Sequence, residues 1–194
     1  MTAVDRFSSD VFKRLLGGVN SVSFRDESGE VDYFGEKVVI LRQDSFRLFR
    51  QELVRRNASG TGNLIMGIVG RSVGRAEGKT IVSLFKQETG SRSLGSEHIR
   101  SAVEETNLGY GKPVLGEVGT FTQAVTVSTK NSFEVGSQGS SEGVSCFFLL
   151  GYFEGLLSEL LGAELRGVEG SCRNRGDALC EFRLTRNLET KFKI

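Results

Sequence analysis

The stretch CFFLLGYFEGLLSELLG, residues 146–162, constrains the fold more than any other part of the chain. It reads as a helix ending at Gly162, and its first half is apolar nearly all round. A helix without a polar face has no side to turn towards water, so this one is buried.

Helix and strand patterns alternate over the rest of the sequence. SSDVFKRLL predicts a helix capped by Ser9 or Asp10 and ended by Gly17-Gly18. VNSVSF and VDYF flank the polar turn RDESGE as a hairpin, and VVIL at 38–41 predicts a strand. Asp44 and Ser45 open a helix through FRLFRQELVRR, with Phe46, Phe49 and Leu53 on one face. In NLIMGIVGRSVGRAEG, Gly70, Gly74 and Gly78 recur every four residues. On a helix they make a groove without side chains, open to another backbone or a flat ligand. Such spacing is familiar in membrane helices, but Arg71 and Arg75 argue for close packing in a soluble core. A break near Gly78 is expected before a further helix, TIVSLFKQE. Ser96 caps a helix through EHIRSAVEET. KPVLGEVGTFTQAVTVSTKNSFEV predicts two or three strands, and GSQGSSEG, 136–143, a loop. AELRGVEG and ALCEFRLTR bracket SCRNRGD as a closing β-hairpin. The expected class is α+β: a single domain with a helical layer on an antiparallel sheet.

With 194 residues, 38% of them hydrophobic, the chain has material for one core. Lys and Arg number 25 against 24 Asp and Glu, so there is no basic excess of the kind direct nucleic-acid binding uses. Arg50, Arg55 and Arg56 read as a solvated helix face. No apolar window reaches the ~18 residues of a membrane span, and MTAVDRFSSD lacks a signal-peptide core. The expected location is the cytoplasm. There, cysteines serve as metal ligands, catalytic groups or buried filler rather than in disulfides.

The three cysteines are placed tellingly. Cys146 starts the buried helix, Cys172 lies at the hairpin turn and Cys180 in the returning strand, with Glu169 three residues before Cys172. A hairpin can gather Glu169, Cys172 and Cys180, and the helix start can add Cys146. Three sulfurs and one carboxylate suit tetrahedral zinc, and thiolates select it over magnesium or calcium. The alternative on spacing alone is three unrelated buried cysteines.

Residues 146–184 resemble the 4-vinyl reductase (V4R) domain family in Gly151-Tyr152, Gly162, Glu169-x-x-Cys172, Gly176-Asp177 and Cys180-x-Phe182. The resemblance extends more weakly from Gly35 through the GRSVGR stretch. It implies a V4R-like ligand-binding domain over 35–186; residues 1–34 then form an N-terminal helix-and-hairpin extension, either a dimerisation element or a cap on the domain, and 187–194 a tail. Members include sensory domains of bacterial regulators that respond to phenols, and the fold is distantly similar to subunits of vesicle-tethering complexes. The sensors hold a structural zinc (Zn2+) on positions matching Cys146, Glu169, Cys172 and Cys180, and they are dimeric. With four protein ligands the ion has no open position, so the resemblance implies no Lewis-acid catalysis.

The family's ligand pocket, between the central strands and the helices, implies a small hydrophobic or aromatic ligand near Phe85, Phe121, Phe148 and Tyr152. His98, the only histidine, is the candidate to hold a hydroxyl, as the phenol sensors use a histidine from this part of the fold. As the sole imidazole it leaves no multi-histidine site. The chain departs from those sensors in having no Trp, and it shows no Walker-type GxxxxGK[ST] motif. The expected function is therefore a stand-alone sensor or carrier, dimeric, with a protein partner for signalling, and not an enzyme. The alternatives are a dimeric scaffold without ligand, and an accessory role in tetrapyrrole vinyl reduction, for which no flavin, dinucleotide or iron–sulfur pattern is present.

Overall fold

The computed structural model describes residues 22–25, 28, 30–33, 36–39, 42–56, 59–91, 93–105, 113–116, 124–135 and 146–186. The helix expected in SSDVFKRLL and the loop expected over 136–143 lie outside them. Strands β1 (Val22–Arg25), β2 (Glu30–Tyr33) and β3 (Glu36–Val38) form an antiparallel meander, which includes the expected hairpin. The strand expected at 38–41 instead ends at Val38, and Val39 is 82% exposed. An apolar run alone does not locate a strand; the pairing partners in β2 do.

Helices α1 (Gln43–Arg56), α2 (Ser59–Thr89) and α3 (Ser96–Glu105) come next, then β4 (Pro113–Leu115), β5 (Val125–Thr129), α4 (Phe147–Leu161), β6 (Leu165–Ser171), a short 3-10 turn (Arg173–Arg175) and β7 (Cys180–Arg186). The second sheet is antiparallel in the order β4-β5-β7-β6. Cys180, Phe182 and Leu184 of β7 point inward, while Glu181 and Arg183 point out, as the two-residue strand period requires. Helix α4 lies between this sheet and α2. Leu149, Leu156 and Leu157 are fully buried, and the Phe153 ring meets Phe182 of β7 at 5.4 Å.

The contact between α2 and α4 is made by backbone. A Cβ added at Gly70 would collide with the Phe148 carbonyl, one at Gly74 with the Tyr152 carbonyl, and ones at Gly151 and Gly155 with the Gly67 and Arg71 carbonyls. Contact positions ascend together along both chains, so the two helices run parallel. Approach this close is open only to glycine, and it allows Cα–H to carbonyl contacts between the helices. The expected groove at Gly70, Gly74 and Gly78 is therefore filled by α4. The break expected near Gly78 does not occur. Gly78 is buried against Leu156 and Glu159, and α2 runs on to Thr89, where Gly90 ends it at φ +73°. Packing against α4 outweighs the low helix propensity of glycine.

Ion pairs support the same junction. The Glu154 carboxylate, nearly buried in α4, accepts hydrogen bonds from Arg71 of α2 and from the Gly167 N–H of β6. Arg75 pairs with Glu164. On α1, Phe46 and Leu53 pack on the core as expected, but Phe49 is 51% exposed. Arg55 and Arg56 both pair with Glu52 on their own helix, an exposed face partly neutralised within the helix.

Candidate metal centre

Four elements deliver one side chain each to a single point. Cys146 is the N-cap of α4, fully buried. Cys180 begins β7 and faces inward with Phe182. Glu169 pairs across the hairpin with Phe182 and so shares that face. Just beyond it β6 is irregular: Glu169 opposes Phe182 and Ser171 opposes Glu181, which leaves Gly170 as the extra residue. Such a bulge bends the strand end and re-aims the residues after it. Cys172 then caps the 3-10 turn in extended conformation.

That turn is locked by Asp177. Its Oδ2 accepts the Cys172 N–H at 2.8 Å and pairs with Arg175 at 2.7 Å. The Cys172 carbonyl accepts the Arg175 and Asp177 N–H groups at 2.9 and 3.3 Å. Gly176 stands at φ +96°, where a side chain would be strained. The Cys172 N–H, with the Arg175 guanidinium second, holds the Asp177 carboxyl below its usual range. The Gly176-Asp177 pair read from the sequence is thus the device that presents Cys172.

The four ligand atoms all lie within 4.8 Å of one another. Cys146 Sγ is 3.6 Å from Cys180 Sγ and 4.0 Å from Cys172 Sγ. A tetrahedron of sulfurs at ~2.3 Å from zinc has an edge of about 3.8 Å, so these separations fit a metal. They exclude an S–S bond of about 2.05 Å, and all three cysteines are free. Glu169 Oε2 accepts the Cys146 N–H at 3.0 Å, whereas its Oε1 is buried without a hydrogen-bond partner. A buried acceptor left unmet costs about 1–3 kcal/mol, and a cation among these four groups satisfies it. The donor set and its geometry fit a metal ion.

Without a cation the cluster prefers to be protonated. The Cys172 and Cys180 thiols, and then burial, push the Cys146 thiol far above its ordinary range. Cys180 is drawn down by Cys146, but the Cys172 thiol and burial outweigh this and carry it up to about 12. Burial first, and the Cys172 thiol second, raise Glu169 to about 7.

A second carboxylate serves the start of α4. Glu134, buried, accepts the Phe148 N–H at 3.1 Å and the Leu149 N–H at 2.8 Å, capping a helix whose own N-cap side chain makes no such bond. Burial raises it to about 8, partly offset by these two bonds. Sequence reasoning missed this residue. Its only signal was an acidic residue placed among apolar ones just after a strand.

The expected ligand-binding residues fall in two places. Phe85 and His98 meet at 4.9 Å between ring centroids. His98 Nδ1 accepts the Gly95 N–H at 3.1 Å, so the neutral ring carries its proton on Nε2. Burial lowers the His98 pKa and favours that neutral form. Phe148 lies elsewhere, edge-to-face with Phe46 at 5.0 Å and near Phe133 at 5.7 Å. The Tyr152 hydroxyl donates to Glu77 Oε2 at 2.7 Å, and burial raises Glu77 to about 7 against that bond. Phe148 sits at the level of Gly70, and Phe85 is fifteen residues further along α2, about 22 Å at 1.5 Å per residue. The structure brings Phe85 and His98 together, with Phe148 at a different level of α2. Phe121 lies outside the described residues.

Residues 125–186 match the family model described as the V4R domain, the span that holds β5, α4, both hairpin strands and all four clustered residues. No curated protein matches the chain. Among solved structures, the phenol-responsive sensory domain of the transcription activator PoxR, with phenol, matches at a TM-score of 0.71 and 14% identity, covering 100% of this chain and 94% of that one. At that identity the likeness establishes the fold. A vinyl-4-reductase family protein from Methanocaldococcus jannaschii matches at 0.49 and 14%, covering 96% of this chain and 99% of that one. A trafficking protein particle complex subunit 3 from Naegleria fowleri, covalently bound to palmitic acid, matches at 0.47 and 12%, covering 75% and 95%. Among the described residues no helix is long and apolar enough to cross a membrane.

Proposed function

We propose that this chain is a small-molecule sensor or carrier domain whose fold is held by a structural zinc ion on Cys146, Glu169, Cys172 and Cys180. The observation that carries the metal is the convergence of three buried sulfurs on a carboxylate oxygen that has no other partner. Soft thiolates select zinc among the common cations. Four protein ligands fill its tetrahedron, so its contribution is to tie the start of α4 to the hairpin rather than to activate a substrate. A binding protein, not an enzyme, is the reading this supports, acting in a reducing compartment such as the cytoplasm.

The sensing role rests on the fold shared with a sensory domain and on the Phe85–His98 pair. A phenyl ring beside a half-buried imidazole suits a small aromatic or hydrophobic molecule with one oxygen, which the Nε2 proton would bind. Residues 35–186 would form this domain, and 1–34 would serve dimerisation. The second reading, a dimeric scaffold, draws on one observation. Leu64, Ile68, Val69 and Val73 leave an aliphatic face of α2 exposed at 63, 52, 41 and 37%, the kind of patch that marks an interface. Native mass spectrometry of the purified chain tests both. Two chains with two zinc ions and a further small mass support the sensor. Two chains with zinc and no small molecule, even after incubation with phenols, favour the scaffold. Chains without metal overturn the zinc centre.

A further inference from the structure

We propose that Ser132 is a positioning residue of the metal centre, its hydroxyl donating a hydrogen bond to the Cys146 sulfur and holding that sulfur as a ligand. The proposal rests on the metal reading above. Ser132 is buried, at 4% exposure, and its Oγ lies 3.2 Å from Cys146 Sγ. The same oxygen accepts the Glu134 N–H at 3.2 Å. Both oxygens of the neighbouring Glu134 carboxylate are taken by α4 N–H groups. Among the described residues the sulfur is the one partner left for the hydroxyl proton. A metal-bound Cys146 is a thiolate without a proton of its own, so the bond can run only from Ser132 to sulfur.

The hydroxyl is held in place by its neighbours. The turn after β5 is closed by the Val135 N–H to the Ser132 carbonyl at 3.2 Å. The Phe133 ring stands 4.6 Å from Phe46 and 5.7 Å from Phe148, and Glu134 clamps the first turn of α4. Three consecutive side chains therefore grip the helix start that carries Cys146.

The need for a donor comes from charge. Three thiolates and a carboxylate around a divalent ion leave a net charge of about −2 in a site lined by buried side chains. Fixed donors must spread that charge. The Arg173 N–H reaches Cys180 Sγ at 3.4 Å, and the Cys146 N–H reaches Glu169. Ser132 supplies the side-chain donor for Cys146.

The experiment measures zinc affinity by competition with a chromogenic chelator, and the thiolate-to-metal absorption of the cobalt(II)-substituted full chain, for wild type, Ser132→Ala and Ser132→Thr. Removal of such a supporting bond costs about 10–100-fold in metal affinity. Ser132→Ala is expected to lose about tenfold and to shift the cobalt band, while Ser132→Thr, which keeps the hydroxyl, stays near wild type. Ser132→Ala also leaves the Glu134 N–H without its acceptor, so its metal-free melting temperature falls by a few degrees, whereas Ser132→Thr keeps the metal-free melting temperature of wild type. An alanine variant with wild-type affinity and cobalt spectrum overturns the proposal. So does an affinity loss shared by Thr and matched by a fall in metal-free stability, which marks a packing role. A wild-type chain that binds neither zinc nor cobalt overturns the metal reading itself, and the Ser132 role with it.

Discussion

The Cys146 and Cys180 sulfurs stand 3.6 Å apart although thirty-four residues separate them in sequence. One belongs to a helix start and the other to the return strand of a hairpin, so nothing local holds them together. In the metal-free chain that proximity places protonated thiols against one another. With a cation between them the same spacing becomes the edge of a coordination tetrahedron.

In the proposed zinc centre, replacing Cys172 by Ser removes one ligand and leaves the others too few for tight binding. Structural zinc supplies on the order of 10 kcal/mol of folding free energy. Loss of about 3–5 kcal/mol of it lowers the melting temperature by roughly 10 °C in a domain of this size. Metal analysis and differential scanning calorimetry check this. An unchanged melting temperature with full metal content would remove Cys172 from the site.

The stabilisation gained from zinc should grow with pH. The folded, metal-free carboxyl of Glu169 sits at about 7, above its ordinary value of 4.5. Its contribution is therefore complete below pH 4.5 and is lost as pH rises through about 7. Cys180, raised from 9.0 to about 12, behaves alike at higher pH. Metal binding runs the other way, because protons compete for the same ligands. The gap in melting temperature between loaded and chelator-stripped protein is expected to widen from about pH 5 to about pH 8. A gap that narrows over that window contradicts the ligand assignment.

The helix junction makes a sharp contrast between glycines. Gly74→Ala drives a methyl into the Tyr152 carbonyl, and such overpacking costs about 1–3 kcal/mol or more. Gly60 has nothing within 4 Å of an added Cβ, and Gly60→Ala should be neutral or stabilise by up to about 1 kcal/mol. Urea denaturation midpoints of the two variants measure the difference.

If the exposed α2 face joins two copies, the double variant Leu64→Glu, Ile68→Glu should convert dimer to monomer at micromolar concentration. Light scattering after size exclusion reads this directly. A variant that stays dimeric moves the interface away from α2, and a wild-type chain that is already monomeric removes the dimer altogether.

Much of this architecture was legible in the sequence because it is encoded locally. The α4 pattern, Gly162 and the β6–β7 hairpin are set by residue period and turn chemistry. The cysteine and glutamate set could be read from spacing only as one of two alternatives, and the family resemblance chose between them. What stayed hidden depends on partners far along the chain. Gly78 looked like a break because its low helix propensity is visible, whereas the α4 backbone it accommodates is not. Phe49 looked like core because it shares a face with Phe46 and Leu53, yet it lies at the edge of that face and stays half exposed. Glu134 and Ser132 looked like ordinary strand-end residues, and their roles exist only once α4 is laid beside them.

The glycine contact between α2 and α4 also limits how a bound molecule could be felt at a distance. Each helix lodges its backbone in notches of the other, set at fixed intervals of one turn. Axial sliding would drive carbonyl oxygens into Cα atoms, so small displacements are resisted and only a whole-turn step restores the fit. If the proposed ligand binds near Phe85, at one end of α2, a push there would reach the cysteine end as a tilt of both helices together, with the pair acting like a lever.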